Sequence, residues 1–288
     1  MHFGPTLKLF GQIRKQRFAK ALSRRVLGLV IGLCCVPQAI AQRTSSYVDL
    51  HDFGGQITVS NGATATDGVD AWANVIIDSS GNRYGTCPYG GPNDEGMVWE
   101  ITAAGKYKDL HDFGGTITNA NGKRGPDGMQ PFGCVATDQK GNLYGTATMG
   151  GANKNGGGGI VWELTTSGSY IDLHDFGASV ITSNGQVGPD GTLPWGPVTL
   201  DGSGNLYGTA SDGGGFSATT PFGGMVWEIT VSGTYLDLHD FGGLVTNSRG
   251  KSVQDGAFPH AGVSFDGKGN MFGTASSGGA SLASDGGG

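Results

Sequence analysis

One unit of about sixty residues recurs almost four times along this chain, and that repetition limits what it can fold into more than any other feature. His51-Asp52-Phe53-Gly54 returns as His111-Asp112-Phe113-Gly114, His174-Asp175-Phe176-Gly177 and His239-Asp240-Phe241-Gly242. Each copy is followed by an Asp-Gly step, at Asp67, Asp127, Asp190 and Asp255. A Gly-Asn-x-(Tyr/Phe)-Gly-Thr run comes next, ending at Thr86, Thr146, Thr209 and Thr274. Three copies then close with Val98-Trp99-Glu100, Val161-Trp162-Glu163 and Val226-Trp227-Glu228. Such units cannot bury an apolar face alone, so they must lean on their neighbours.

Spacing within the unit separates packed elements from loops. From His to Tyr or Phe is 33 residues in all four copies, and from Trp to the next His is 12 in all three. The interval from Tyr to Trp varies, at 15, 18 and 20 residues, as a surface loop can. Four short strands fit the fixed part. Strand a covers 133–138, entered from Pro131; the Asp138-Gln139-Lys140-Gly141-Asn142 turn leads to strand b at 143–146. Strand c covers 160–165, and Ser167-Gly168 turns the chain into strand d at 170–176, which alternates as a half-buried strand does. No helical period is sustained, which excludes a βαβ layout. The fold class expected is all-β, a propeller-like array of four-stranded antiparallel blades. Three units are complete and the fourth stops after strand b. The chain reads as truncated, with a lone N-terminal strand d (47–53) available to complete the last blade; an open solenoid or a longer ring stays open.

The first 41 residues differ from the rest. They hold Lys8, Arg14, Lys15, Arg17, Lys20, Arg24 and Arg25, no acid, an apolar run from Val26 to Val36, and Ala39-Ile40-Ala41. Those are the parts of a secretory signal peptide cleaved after Ala41, leaving a β-repeat domain at 42–288. The apolar run is roughly 16 Å as a helix, too short for a membrane span. Arg24-Arg25 allows a twin-arginine route, and an organelle transit peptide is the other reading. Secreted, periplasmic or cell-surface placement follows, with no membrane insertion after cleavage. Of 18 basic residues the leader holds seven, so the remainder carries 11 against 24 acidic ones, a charge of −13. That surface repels phosphate backbones, which excludes nucleic acid as a partner. The 56 glycines fall at recurring turn positions rather than in a collagen period. Cys87 and Cys134 remain after the leader and either pair or stay as isolated thiols.

The combination Asp-Gly-x-x-Pro, Asp-x-x-Gly-Asn-Leu-Tyr-Gly-Thr and Gly-(Ile/Met)-Val-Trp-Glu resembles the Gloeo_Verruco (GloVer) repeat of exported bacterial proteins, over about residues 47–288. The resemblance implies a secreted or surface protein with no established activity. Strands a and b are also similar to those of NHL-type propellers, by analogy only.

Repeated residues read as structure. His51, His111, His174 and His239 recur beside Asp, but neighbours on a strand face opposite ways, so each His is expected to make one repeated hydrogen bond. Trp99, Trp162 and Trp227 are expected as packing between blades. The Asp-x-x-Gly-Asn turns lack the ligand count of a calcium loop, and no metal or cofactor is expected. The long d-to-a and b-to-c connections emerge on one face. There, five residues after each Asp-Gly aspartate, stand Trp72, Phe132, Trp195 and His260, flat side chains able to stack on a ligand or to plug the centre. Residues that break the repeat are Asp70, Cys87, Asp94, Glu95, Asp212 and His260, and they assemble no catalytic set. A binding module, with carbohydrate or another surface protein as partner, is the favoured expectation; a glycan-cleaving enzyme is the alternative.

Overall fold

The computed structural model describes residues 47–59, 62–119, 122–153, 157–183, 185–214 and 223–279. The leader and residues 280–288 lie outside the described residues. In the first unit β1 (Gln56–Thr58) and β2 (Thr64–Thr66) form an antiparallel ribbon. β3 (Ile76–Ile77), β4 (Arg83–Cys87), β5 (Met97–Ile101) and β6 (Tyr107–Asp112) form a four-stranded antiparallel sheet in chain order. The second unit repeats this with the ribbon β7 (Thr116–Thr118) and β8 (Arg124–Pro126), then β9 (Ala136–Thr137), β10 (Leu143–Ala147), β11 (Ile160–Leu164) and β12 (Tyr170–Asp175). The third has β13 (Ser179–Ile181) and β14 (Val187–Pro189), then β15 (Thr199–Leu200), β16 (Leu206–Ala210), β17 (Met225–Ile229) and β18 (Tyr235–Asp240). The fourth has the ribbon β19 (Leu244–Thr246) and β20 (Ser252–Gln254) and a pair, β21 (Ser264–Phe265) with β22 (Met271–Phe272). The protein is all-β, with no helix among the described residues, and therefore none long and apolar enough to cross a membrane.

Local chemistry explains the strands. In the a-to-b turn of the second unit, Asp138 Oδ1 accepts from the N–H groups of Lys140 (2.8 Å) and Asn142 (2.9 Å). Asn142 Nδ2 donates to Asp138 Oδ2 at 2.9 Å, and Gly141 takes φ +87°. Asp78, Asp201 and Asp266 repeat the turn. At Asp138 burial alone would raise the pKa, but these hydrogen bonds outweigh it and hold the carboxyl below its ordinary value. The glycine inside strand b has a different reason. Gly145 pairs with Trp162 of the next strand, and a Cβ there would sit 2.4 Å from the indole. Gly85 meets Trp99, and Gly208 meets Trp227, in the same way. The tryptophan lies flat across the strand where a side chain is missing.

The core lies within each sheet and between successive units. Val98 of the first unit packs in one cluster with Val135, Leu143, Ile160 and Trp162 of the second. Val161 then packs with Val198, Leu206, Met225 and Trp227, and Val226 with Tyr207 and Val263. Trp162 and Trp227 are fully buried, and Trp99 is nearly so.

Four expectations change, and the open question of the cysteines is answered. Residues 47–53 form no strand, and Tyr47, Val48 and Leu50 are exposed. Each strand d that does form pairs with the strand c before it, and the described residues hold no such partner for 47–53. β22 pairs only with β21, so the N-terminal segment does not complete the fourth sheet and no closed ring is present among the described residues. Strand a is reduced to two paired residues in every unit. The d-to-a connection, expected as loop, carries the ribbons: three-residue strands around a glycine-containing tip are too short to show a period. Cys87 and Cys134 are free thiols, the first buried and pushed up to about 12 by burial and then by the Asp67 charge.

Candidate functional site

The four flat residues named from the sequence stand where the chain enters strand a, and the units themselves build that position. Asp70, Gln130, Leu193 and Phe258 have φ of 58°, 58°, 57° and 54°, a left-handed conformation that costs a residue with a side chain about 1–3 kcal/mol. At Gln130, Leu193 and Phe258 hydrogen bonds on both sides hold it. The N–H of Gln130 donates to Glu95 O (2.8 Å), that of Leu193 to Gly158 O (2.7 Å), and that of Phe258 to Gly223 O (3.1 Å), each acceptor lying in the b-to-c loop of the preceding unit. Within the same unit, the N–H groups of Thr148, Ser211 and Ser276 donate back to the carbonyls of Gln130, Leu193 and Phe258. Pro131, Pro194 and Pro259 follow, all buried. Beyond the flat residue, strand-b threonines of the preceding unit close the clamp. Thr86 Oγ1 donates to Gly133 O at 3.0 Å, Thr146 to Gly196 O at 2.9 Å, and Thr209 to Ala261 O at 3.0 Å.

The three clamped residues and Trp72 of the first unit form one row. Ring centroids of Trp72 and Phe132 are 5.4 Å apart, those of Phe132 and Trp195 4.4 Å, and those of Trp195 and His260 6.0 Å. Phe132 and Trp195 are stacked at 28°, so they cover much of each other's faces and both are half-buried. Trp72 is 69% exposed at one end and His260 is exposed at the other. The row offers an open indole face, two ring edges and an imidazole.

The histidines of the repeat lie elsewhere, in a second network. His51 Nε2 meets Asp67 Oδ2 at 2.5 Å, His111 meets Asp127 at 3.3 Å, His174 meets Asp190 at 3.1 Å, and His239 meets Asp255 at 3.0 Å. Each partner is the Asp-Gly aspartate 16 residues on, not the adjacent Asp. His51, His111 and His174 also stack on Tyr107, Tyr170 and Tyr235 at centroid distances of 3.8, 3.9 and 3.7 Å. Those tyrosine hydroxyls return to the same turns: Tyr107 to Asp67 Oδ1, Tyr170 to Asp127 O and Tyr235 to Asp190 O. Burial holds all three phenols protonated, far above their ordinary range.

Paired carboxylates are the feature that sequence reasoning missed. In each complete sheet the register slips between Val and Trp of strand c, at Val98/Trp99, Val161/Trp162 and Val226/Trp227. The extra residue in strand d turns Asp109 toward Asp112, Asp172 toward Asp175 and Asp237 toward Asp240. Burial, then the partner carboxyl's charge close by, raise Asp112 to about 7, Asp172 to about 8 and Asp237 to about 7. The signal was present as the repeated Asp-Leu-His-Asp, but only the bulge puts residues three apart on one side. Asp175 Oδ1 accepts from Ala152 N–H at 2.8 Å and Oδ2 from the Asn119 amide, tying the ribbon tip to strand d.

Most repeat-breaking residues do not converge. Asp70 has the left-handed backbone already described, Asp94 caps Gly90 N–H at 3.1 Å, Glu95 serves through its carbonyl, and Cys87 is buried. Asp212 and His260 are brought near one another, and His260 acts electrostatically on the Asp212 carboxyl. Among the described residues no three His, Cys, Asp or Glu side chains converge to hold a metal.

Comparison with known proteins places the repeat. One solved crystal structure, of a protein assigned as a gluconolactonase, matches at 12% identity over 75% of this chain and 79% of its own. Its TM-score is 0.26, too low for an argument about fold or activity. No curated protein matches. A family model does, over residues 38–281, nearly the whole repeat region, and on that match the chain belongs to the Gloeobacter/Verrucomicrobia repeat family.

Proposed function

We propose that this protein is an exported, propeller-like repeat scaffold that acts as a surface or secreted binding module, taking its ligand on the row Trp72–Phe132–Trp195–His260. The row carries the reading: four residues from four units lie in contact at 4.4–6.0 Å, and backbone clamps at three junctions hold Phe132, Trp195 and His260. A rigid scaffold presenting an aromatic strip, open at Trp72, suits recognition, because the rings lose little conformational freedom on binding. Export rests on the basic leader, its short apolar run and Ala39-Ile40-Ala41. The propeller-like arrangement rests on the meander order of each sheet and on junctions made the same way three times.

The exported chain, starting at Gln42 by mass, is applied to arrays of peptides and glycans. Trp72→Ala and Trp195→Ala are expected to lose binding at least tenfold while circular dichroism stays unchanged. A chain that binds nothing on either array, or binds equally well without both indoles, overturns the reading.

A further inference from the structure

The row has one unusual end. The fifth residue after the Tyr or Phe of strand b has an equivalent in every unit. These fifth positions, Tyr89, Met149, Asp212 and Ser277, are equivalent, since each bridges the backbone two residues after its own Asp-Gly aspartate: Val69, Met129, Thr192 and Ala257. At the first junction Tyr89 meets Phe132 edge-on at 6.2 Å. At the third, aspartate replaces the apolar residue and histidine replaces the aromatic one. Two substitutions at one junction make it polar, and the backbone segments that carry them approach closely, since a Cβ on Gly224 would lie 2.7 Å from Ser211 O and 2.5 Å from Pro259 Cδ.

Neither group is absorbed by the scaffold. Asp212 Oδ1 is buried and has no hydrogen-bond partner among the described residues, an arrangement that costs free energy unless something donates to it. Burial raises the Asp212 carboxyl above its ordinary value and the nearby His260 counters it. His260 is exposed, yet its backbone is fixed on both sides, with Thr209 Oγ1 donating to Pro259 O (3.1 Å) and Ala261 O (3.0 Å). Its ring meets Trp195 in a T-shaped contact and Phe258 at 6.4 Å. A positioned acceptor and an imidazole thus end a strip of aromatic edges.

We propose that Asp212 and His260 are the polar, specificity-determining end of a site for an uncharged glycan that lies along the aromatic row. Sugar rings present C–H faces and edges to aromatic side chains, and their hydroxyls can hydrogen-bond to the exposed His260 ring and to the open part of the half-buried Asp212 carboxyl. The charge of −13 on residues 42–288 disfavours uronic-acid polymers. This inference rests on the binding reading above and narrows it to one ligand class.

The test uses the full chain on an array of neutral and uronic-acid-bearing oligosaccharides, followed by calorimetry with the neutral ones retained. Asp212→Ala and His260→Ala are each expected to weaken binding about tenfold or more with melting unchanged, and Asp212→Asn less, because an amide keeps one acceptor oxygen. Neutral glycans lost with Trp195→Ala but unaffected by Asp212→Ala and His260→Ala would leave the binding module standing and sink the polar end. Retention of acidic glycans alone, or binding only on the peptide array, would sink the ligand class and likewise spare the module. No retention of any probe would sink both.

Discussion

Single side chains in this protein act mainly as ties between one unit and the next. Asp190 is 1% exposed and accepts from His174 Nε2 at 3.1 Å and from Gly177 N–H at 2.7 Å, while its carbonyl receives Tyr235 Oη at 3.0 Å. Replacing it by alanine leaves buried donors unmet, so Asp190→Ala is expected to cost about 2 kcal/mol in urea unfolding. Binding should be unaffected, because the row is elsewhere; lost binding without lost stability would instead place the His–Asp network in the site. The repeated hydrogen bond of the histidines was readable because neighbours on a strand diverge. Its partner was not, since the chain must turn through a ribbon before Asp190 comes within reach.

Within the element, the decisive device is the bulge in strand d. It aims two carboxyls at each other in three sheets, and the consequence is a pH dependence with a definite sign. The folded pKa of Asp172 is raised to about 8, so its favourable contribution is complete below the ordinary carboxyl value and is lost as pH rises through about 8. Stability should therefore fall from about pH 5 to pH 8, and Asp172→Asn should flatten part of that slope, on the order of 1 kcal/mol or a few degrees in Tm. Parallel melting curves for wild type and Asp172→Asn across that range would refute the paired-carboxyl account. Strands b and c were legible from their motifs; the bulge was not, because one inserted residue leaves no mark in a six-residue strand.

At the scale of the whole molecule, stability is a property of neighbours. Trp162 is fully buried and shares a cluster with Val98 of the unit before it. Trp162→Ala is expected to cost about 3–5 kcal/mol and to lower the melting of the first two units together, as calorimetry or proteolysis would report. Loss confined to a single unit would show that the sheets fold independently. The sequence by itself determined the repeat, the order of the strands, the capped turns, the tryptophans of the core and the four ring positions, because each depends on local geometry that recurs at fixed spacing. Only the folded chain decided that the rings touch, that 47–53 stays outside any sheet and that Asp212 and His260 meet at one junction. Those outcomes depend on how one unit's loops meet the next unit's backbone, and contacts between residues 50 and 52 apart leave no local trace.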